Sequence, residues 1–562
     1  MVEFATAIWD DGPSSDPYEP DKAKIRAWGT VVESAAIKRT IANVQAQSFA
    51  DDVDKINVLG FPYQRASSEP QHHAKVQSAD GKWFEYVDAY PSNELFKEIA
   101  SSDTQALEWF IEYLVKRRTA GFVTDDLNVN NAAYIGTNNG GFPAPERVTI
   151  YGAGGKINSQ AIGYTLTLEG LFCPRIEGVE FVGTSDADGG VYNAADPQTG
   201  IYLNHCSMPQ VVGCKFSKFS GFPIWVDRNQ PATRHQGAVI ERNNFIDCPF
   251  DPLVDNQACI FLGDNGEYAR IAFNTMENCP QFVRAIGGAN SMVLFNIIMG
   301  SNVTDTTADN NKGLIFFNAG PTNEGKITVF GNEINHNETN IWAINIVGSG
   351  ASDTRKNSNN ISDNKILVHG STTGAEMIRV VNFNKNTIKG NHLRSKNTAP
   401  PGYVIWLDNC LENSLEGNNF EEYGDAAVRL FNGSTVLEDG NTFENKATAY
   451  SLASASDKIV WRTRRTVTVR FDSAGALASG CDASNLGWSV SKTGTGTYTV
   501  THNLGAAFYT VEAMPDGGSG RVAATRNAND IAVSVFNTSN AAVDAAVSLV
   551  VHAWDTYTRP LY

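Results

Sequence analysis

Three acidic residues near the middle of the chain stand where paired carboxyl groups could act as acid and base. Asp227 ends the segment IWVD, Asp264 ends IFLGD, and Glu267 follows three residues later. If the two segments are neighbouring parallel strands, their backbones lie ~5 Å apart. Glycoside hydrolysis uses two carboxyl groups, roughly 5 Å apart for retention and roughly 6.5–9.5 Å apart for inversion. Asp227, Asp264 and Glu267 are therefore candidate catalytic residues; the alternative is that these aspartates are ordinary turn residues at strand ends.

Aromatic residues recur at one place in the apolar segments around these acids. Aligning the segments by their ends predicts a column of Tyr202, Trp225, Phe261, Phe316 and Trp406. Exposed aromatic faces stack on sugar rings. Arg284, one coil beyond Phe261, could bind an acidic sugar or lower the pKa of a nearby carboxylate. Tyr202, Trp225, Phe261 and Arg284 are thus candidate substrate-binding residues, unless a loop or a neighbouring subunit covers the column.

A second group with charges of both signs lies further along the chain. Its members fall on three successive coils of the repeat described below: Glu376, Arg379, Trp406, Asp408, Glu412 and Arg429. Mixed charge beside an aromatic ring is expected in a groove for an acidic polysaccharide. Arg379, Trp406 and Asp408 are taken as further substrate-binding candidates, and a salt-linked, solvated face is the alternative.

These residues are positioned by a repeat. The pattern runs from IEGVEF, which ends at Phe181, to EDGNTF, which ends at Phe443, at intervals of 22 to 36 residues. Self-similarity at this period is typical of a solenoid. Its most regular element is an asparagine, found at Asn243, Asn274, Asn296, Asn332, Asn364, Asn391, Asn418 and Asn441. Asparagine tolerates left-handed backbone and can bond to a stacked copy of itself, which predicts an asparagine ladder at one corner of every coil.

Each coil also carries a second apolar strand, such as IWVD, LIFFN, VIWLD or VRLFN. The alternation predicts strands that stack into an all-β fold, a parallel β-helix over residues 121–446. Its open N-terminal end needs a cap. The apolar spacing of Leu107, Phe110, Ile111, Leu114 and Val115 predicts an amphipathic capping helix, with Ser102 and Gln105 at its start.

The two ends of the chain have different patterns. Residues 1–50 are rich in proline and then helix-like from about Lys22, which predicts a partly helical attachment segment. Residues 51–120 are expected to hold a linker and the capping helix. Residues 447–562 alternate polar and apolar positions between Gly, Asn and Asp breaks, which predicts a C-terminal antiparallel β-sandwich for trimerisation or carbohydrate binding.

Composition excludes several partners. The net charge of −17 argues against nucleic acid and anionic membranes. No apolar run is long enough to insert into a membrane, and the N-terminus lacks the pattern of a signal peptide. The eight cysteines are too sparse for a disulfide framework and form no CxxC pair. Cys248 and Cys279 occupy the same place in successive repeats and are expected to be neighbours; no metal site and no cofactor is expected.

The chain resembles bacteriophage tailspike and tail fibre proteins with a right-handed, pectate-lyase-like parallel β-helix. The segment WDDGPSSDPYEPDKAKIRAWG is similar to virion-attachment segments, and DTQALEWFIEYL followed by VTIYGAGG and RIEGVEF resembles the entry into such helices. The C-terminal GTYTVTHNLGAAFYTVEAMPDG resembles small trimerising β domains. The resemblance implies a homotrimer on the virion tail, assembled in the bacterial cytoplasm. It would join the phage tail or baseplate through its N-terminal segment.

The function implied is recognition and cleavage of a host surface polysaccharide: capsule, O-antigen or exopolysaccharide. Paired carboxyl groups favour endoglycosidic hydrolysis. Two alternatives stay open: a polysaccharide lyase on the same fold, with Lys, Arg, His or Tyr as base, and a receptor-binding fibre without enzymatic activity. The resemblance transfers no catalytic residue, because no family motif matches these positions residue by residue.

Overall fold

The structure is a computed structural model that describes most of the chain from residue 37 onward. The described residues are Gly29, Val32 and the ranges 37–136, 147–160, 163–184, 198–227, 237–248, 258–263, 267–279, 281–300, 313–319, 325–336, 341–348, 358–369, 377–396, 402–444, 448–454, 456–461, 465–479, 481–485, 487–502, 508–516, 520–527 and 529–554. The proline-rich start of the predicted attachment segment, Asp264 and Glu376 lie outside them.

Short strands form three parallel sheets of 13, 12 and 12 strands, and each coil adds one strand to each sheet in turn. Sheet 1 consists of Ala120–Val123, Thr149–Gly152, Arg175–Glu177, Gln210–Val212, Val239–Glu241, Arg270–Ala272, Met292–Leu294, Thr328–Phe330, Asn360–Ser362, Thr387–Lys389, Asn413–Glu416, Thr435–Asp439 and Lys458–Trp461. Sheet 2 consists of Leu127–Val129, Lys156–Ser159, Glu180–Val182, Lys215–Ser217, Asn244–Ile246, Thr275–Cys279, Ile297–Gly300, Glu333–His336, Lys365–Val368, His392–Ser395, Asn419–Glu421 and Thr442–Glu444. Sheet 3 consists of Ala133–Gly136, Gly163–Glu169, Gln198–Asn204, Ile224–Asp227, Ile260–Leu262, Val283–Ile286, Gly313–Ala319, Trp342–Gly348, Ile378–Val381, Tyr403–Asp408, Ala426–Phe431 and Thr448–Leu452. The predicted parallel β-helix is confirmed.

The chain divides into two compact units. The first comprises residues 1–184 and 200–215, and the second comprises residues 185–199 and 216–562. The first unit holds an N-terminal sheet, the longest described helix and the early coils. The second holds the later coils and the C-terminal sheets.

The asparagine ladder is present at the corner between sheets 1 and 2 of the second unit. From Asn243 to Asn418, each side-chain Nδ2 donates to Oδ1 of the asparagine on the next coil at 2.8 to 3.0 Å. The same Oδ1 accepts the backbone N–H of the preceding asparagine. These asparagines are almost fully buried. The ladder satisfies polar groups that the sharp corner would otherwise leave unpaired, and the prediction is confirmed.

The residue before each ladder asparagine adopts the left-handed conformation. Glycine fills this place in four coils, as at Gly331 and Gly390, where φ is near +65°. Phe273 and Phe295 hold it in two others, with φ of 57° and 53°. Bulky residues rarely adopt this conformation, because their Cβ crowds the backbone. The stacking of the coils therefore holds the backbone at this corner in the left-handed conformation even where the residue does not favour it.

The inside of the coils is filled by aliphatic and aromatic side chains that alternate with outward residues. Phe216 stacks on Phe245 with ring centroids 5.3 Å apart, and Phe420 stacks on Phe443 with ring centroids 4.9 Å apart. Cys248 and Cys279 are neighbours as expected: the Cys248 N–H donates to Cys279 Sγ at 3.4 Å. No disulfide joins the eight cysteines, all of which are described.

The N-terminal part of the first unit contains a sheet that the sequence analysis did not predict. Its five strands lie in the order Lys38–Arg39, Lys55–Val58, Phe61–Ala66, Trp83–Tyr86 and Lys75–Gln77. The first pair is parallel and the remaining pairs are antiparallel. Its buried Tyr86 meets Phe96 and Tyr113 of the adjacent helices. Helices with described bounds are Ile41–Gln45, Asn93–Ile99, Asp103–Arg117 and Asp482–Asn485.

The capping helix is present as Asp103–Arg117, and Ser102 caps its N-terminus by accepting the Gln105 N–H. Its side chains cover the exposed edge of the first coil. Asp103 Oδ2 accepts the N–H of Asn128 at 2.7 Å, and Glu108 Oε1 accepts the N–H of Tyr134 at 3.0 Å. The helix thus satisfies edge N–H groups that would otherwise pair with another chain.

The C-terminal part of the second unit contains two antiparallel sheets, as predicted. One consists of Arg465–Phe471, Val547–Trp554 and Phe508–Pro515, and the other of Ser489–Gly494, Thr497–Thr501, Asp530–Asn537 and Gly520–Arg526. The rings of Phe471 and Tyr498 join them, with centroids 4.9 Å apart. None of the described helices is both long and apolar enough to cross a membrane.

Candidate functional site

The outward face of sheet 3 in the second unit carries one continuous column of side chains. Strand pairing sets the residues of this outward column directly above one another: Trp225, Phe261, Arg284, Phe316, Asn345, Arg379, Trp406, Arg429 and Ser451. Adjacent positions, such as Val226 and Leu407, fill the core. The predicted alignment of Trp225, Phe261, Phe316 and Trp406 agrees with this pairing. The pairing adds Arg429, which the sequence analysis placed in the second group without assigning it a binding role.

The column is unevenly exposed. Phe316 and Asn345 are fully buried, and Phe261 and Arg284 nearly so, whereas Trp225, Trp406 and Arg429 are partly exposed. Phe222, which lies outside the strands, stacks on Phe261 with centroids 4.6 Å apart. Side chains of the same chain therefore cover the middle of the column. Of the aromatic residues predicted in it, Trp225 and Trp406 retain surface for a ligand.

Asp227 closes its strand one outward position beyond Trp225 and is partly exposed. Gly263, on the next coil, makes room for its carboxylate: a Cβ on Gly263 would lie 2.7 Å from Asp227 Cγ and closer still to Oδ1. The glycine is therefore part of what positions Asp227. Glu267 lies in the turn that leads to Arg270–Ala272 of sheet 1, where its carbonyl accepts the Gly237 N–H at 3.1 Å. The grouping of Asp227, Asp264 and Glu267 stays a prediction.

Arginine and aromatic side chains form a compact group on the later coils of sheet 3. This aromatic–arginine cluster consists of Trp342, Arg379, Tyr403, Trp406, Arg429 and Phe431. The Arg429 guanidinium lies 4.5 Å from the Tyr403 ring centroid, 4.8 Å from that of Trp406 and 5.6 Å from that of Phe431. Arg379 lies 5.9 Å from the Trp342 ring. Such contacts hold cations over ring faces in fixed positions.

Two polar atoms in the cluster lack an acceptor. Trp406 Nε1 and Arg429 Nε are both buried and make no hydrogen bond in the described structure. Buried donors are normally paired, so orphaned ones mark places where a ligand can supply the acceptor. Both atoms are donors, which favours an acceptor-rich ligand such as a sugar hydroxyl or a carboxylate.

The acidic members predicted for the second group occupy different places. Asp408 lies on the same strand as Trp406, and its Oδ1 accepts from Asn432 Nδ2 at 2.7 Å. Glu412 lies exposed in the following turn, 3.9 Å from Lys385 Nζ. The structure therefore brings Arg379, Trp406, Asp408 and Arg429 onto one face and leaves Glu412 outside it.

A further group in the first unit was not predicted, except for Tyr202. The Tyr134 hydroxyl donates to Glu169 Oε2 at 2.6 Å, and His205 Nδ1 lies 3.7 Å from Glu169 Oε1. Partial burial and then the Glu169 carboxylate raise the pKa of Tyr134 to about 12, so the phenol stays protonated. Tyr164, at the other end of the strand that carries Glu169, stacks on the buried Tyr202 with centroids 4.4 Å apart. Tyr134 sits in a strand without the repeat motif, so only strand pairing reveals its neighbours.

Comparison with known proteins gives structural likeness without sequence likeness. No family model matches the chain, and no curated protein sequence matches it. The Dettilon tailspike protein is 14% identical, with a TM-score of 0.47 over 83% of this chain and 94% of that one. A double mutant of the tailspike protein of E. coli bacteriophage HK620 is 13% identical, with a TM-score of 0.42 over 87% and 98%. PfbA, a surface adhesin of Streptococcus pneumoniae, is 10% identical, with a TM-score of 0.42 over 67% and 94%. Likeness of this degree assigns no role to any residue here.

Proposed function

We propose that this protein is a bacteriophage tailspike that binds a polysaccharide on the surface of its host and cleaves it within the chain. The observation that carries the proposal is the outward column of sheet 3. Its partly exposed aromatic and arginine residues are Trp225 near one end and Trp406 and Arg429 on adjacent rungs further along. At a rung spacing of ~4.8 Å, Trp225 and Trp406 lie roughly 29 Å apart, a distance that an extended sugar chain could span. Trp225 and Trp406 would stack on sugar rings, and Arg429 would bind polar substituents. Arg284 and Arg379 are almost fully buried and would act through their positive charge.

Cleavage would proceed by general acid–base hydrolysis. Asp227 is the best-placed carboxyl group, because it is partly exposed beside Trp225 and has space over Gly263. Asp264 or Glu267 would supply the second carboxyl group, one protonating the leaving oxygen and the other activating water or attacking the sugar. The substrate would bridge both groups on the early coils while its flanking sugars reach the later ones.

The test is a depolymerisation assay on capsule, lipopolysaccharide and exopolysaccharide preparations from a panel of bacteria. New reducing ends without ultraviolet absorbance would indicate hydrolysis. Asp227→Asn, Asp264→Asn and Glu267→Gln should then lower the rate by at least ~100-fold for the two true catalytic residues, with polysaccharide binding retained. Asp363→Asn is a matched control, because Asp363 lies at the corner between sheets 1 and 2. Full activity in all three variants would refute the catalytic assignment.

A lyase is the second candidate, because arginine in the outward column could neutralise the carboxylate of a uronate while its α-proton is removed. In that case reducing ends and the absorbance of unsaturated ends would rise together. Tight binding without new ends on any substrate would instead indicate a receptor-binding fibre.

The protein is also proposed to act as a homotrimer. Sheets 1 and 2 of the second unit expose a contiguous group of apolar side chains: Phe273, Met292, Phe295, Ile297 and Met299. Exposed apolar patches of this kind mark protein–protein contacts. Sedimentation equilibrium should give three chains for the wild type and fewer for Ile297→Asp. Thr442→Asp, a change at an exposed position further along the same column of sheet 2, should leave the trimer intact.

The N-terminal segment would join the trimer to the phage tail or baseplate, which places the protein on the virion tail after assembly in the bacterial cytoplasm. Removing residues 1–36 should abolish incorporation into tails while leaving polysaccharide binding unchanged. Incorporation of the shortened chain would refute this role.

A further inference from the structure

The outward column concentrates arginine residues on an acidic protein. The chain has a net charge of −17, yet the nine column positions hold three arginines and no carboxylate. An arginine that no neighbouring carboxylate neutralises attracts anions locally, while the acidic remainder of the surface repels them. The column is therefore suited to one anionic group held at a defined place.

Arg429 is the arginine best prepared for such a group. Three rings surround its guanidinium, and it forms no ion pair with any described residue. Its Nε is a buried donor without an acceptor, as is the adjacent Trp406 Nε1. Arginine binds a carboxylate through two parallel N–H donors, a geometry that lysine cannot reproduce.

The surroundings favour an anion carried by a sugar. Arg379, Trp406 and Arg429 occupy successive rungs, so the Cα atoms of the two arginines are about 10 Å apart, with Trp406 on the rung between them. The nearby carboxylate of Asp408 accepts a hydrogen bond from Asn432. Asp408 is paired with Phe431, which is the next outward residue after Arg429 on its strand. A ring stacked at Trp406 or Tyr403 would place its substituents beside the arginines.

We propose that the aromatic–arginine cluster recognises the carboxylate of an acidic sugar residue, of the uronate or sialate class, within the polysaccharide. Arg429 would hold the carboxylate and Trp406 the sugar ring, with Arg379 adding a second positive charge. This inference rests on the proposed function, because it names the substrate class of the same face.

The test compares each acidic polysaccharide with the same polymer after chemical reduction of its carboxyl groups to neutral alcohols. The probes are surface polysaccharides with and without uronate or sialate, purified from a panel of bacteria. The trimeric full chain should bind at least one native acidic polymer ~10-fold or more tightly than its reduced form. Arg429→Met and Arg429→Lys should both remove most of that preference.

The controls separate this inference from the proposed function. Arg394→Met removes an arginine that pairs with Glu421 on sheet 2 and should keep the wild-type preference. Circular dichroism would verify that each variant is folded. Equal binding of native and reduced polymers, or a preference that survives in Arg429→Met, would overturn the inference alone. Failure of every polysaccharide to bind would overturn the proposed function as well.

Discussion

The ladder asparagine Asn364 offers a quantitative test of what holds the coils together. Replacing it by alanine removes four side-chain hydrogen bonds: Nδ2 to Val329 O and to Asn391 Oδ1, and Oδ1 from the N–H and Nδ2 of Asn332, at 2.9 to 3.0 Å. At about 1 kcal/mol each, these bonds account for about 4 kcal/mol. The Asn332 N–H is left buried without its acceptor, which keeps the estimate from falling much below this value.

Because coils contact only their neighbours, the loss should appear first as local opening. About 4 kcal/mol corresponds to a roughly 1,000-fold larger opening constant. Hydrogen exchange measured by mass spectrometry should therefore be much faster in the Asn364→Ala variant than in the wild type for the backbone amides of Asn360–Ser362 and Lys365–Val368. Exchange in the C-terminal sheets should change little.

Asn360→Ala is the matched control, because the Asn360 side chain is half-buried on the same coil and makes no hydrogen bond with the described residues. Its exchange should stay close to that of the wild type. If Asn364→Ala accelerates exchange by less than about 10-fold, the ladder contributes under ~1.4 kcal/mol per coil, and burial of the apolar core alone maintains the corner.

Three further outcomes are expected. Gly263→Ala should displace the Asp227 carboxylate, because the added Cβ would overlap it. The depolymerisation rate should then fall at least ~10-fold, while circular dichroism shows an intact fold. An unchanged rate would show that Asp227 is not in the active site. Trp406→Ala should weaken polysaccharide binding by about 1–2 kcal/mol in titration calorimetry, whereas Trp461→Ala, at the end of sheet 1, should not. Burial lowers the pKa of His502 from 6.5 to about 4, so the unfolded chain binds a proton within this window that the folded domain does not. The contribution of His502 to the stability of the C-terminal sheets should be complete above pH about 6.5. The free energy of unfolding should then fall by on the order of 3 kcal/mol as the pH is lowered to about 4. His502→Gln should flatten this dependence in urea unfolding at the two ends of the window.

The coils were predictable because their signal is local and repeated. An asparagine that follows a turn residue and lies two positions before an apolar residue recurs often enough to identify a corner without knowledge of any contact. A second ladder at the corner between sheets 3 and 1 was missed. It joins Asn359, Asn386 and Asn413, with side-chain bonds of 2.9 and 2.6 Å. Three coils give too short a repeat to stand out in a sequence rich in asparagine.

The N-terminal sheet was missed for a related reason. Its strands are two to six residues long, and Phe61–Ala66 contains Pro62. Short strands lack a full alternation, and a proline argues against a central strand. Only the pairing of Phe61–Ala66 with strands on both of its sides shows that the proline is accommodated there.

The outward column was predictable in register but not in exposure. Alignment of strand ends gave the correct order of Trp225, Phe261, Phe316 and Trp406, since alternation in a strand follows from the backbone. Exposure depends on side chains that lie elsewhere in the sequence. Phe222 covers Phe261 from outside the strand, and the rings around Arg429 come from three different positions on two coils.

The ladder and the proposed carboxylate site are physically connected. Asn364, Asn391 and Asn418 are consecutive members of the ladder, and the coils that they begin carry Arg379, Trp406 and Arg429. Fixing these corners fixes the spacing of the three side chains before any ligand arrives. The ring contacts of Arg429 then restrict its rotamers, which lowers the entropy lost on binding. A flexible arginine on a loop would have the same charge but would bind less selectively. In the proposed site the repeated asparagine would therefore contribute to recognition as well as to stability, because it holds an arginine, an indole and a second arginine in line on successive coils.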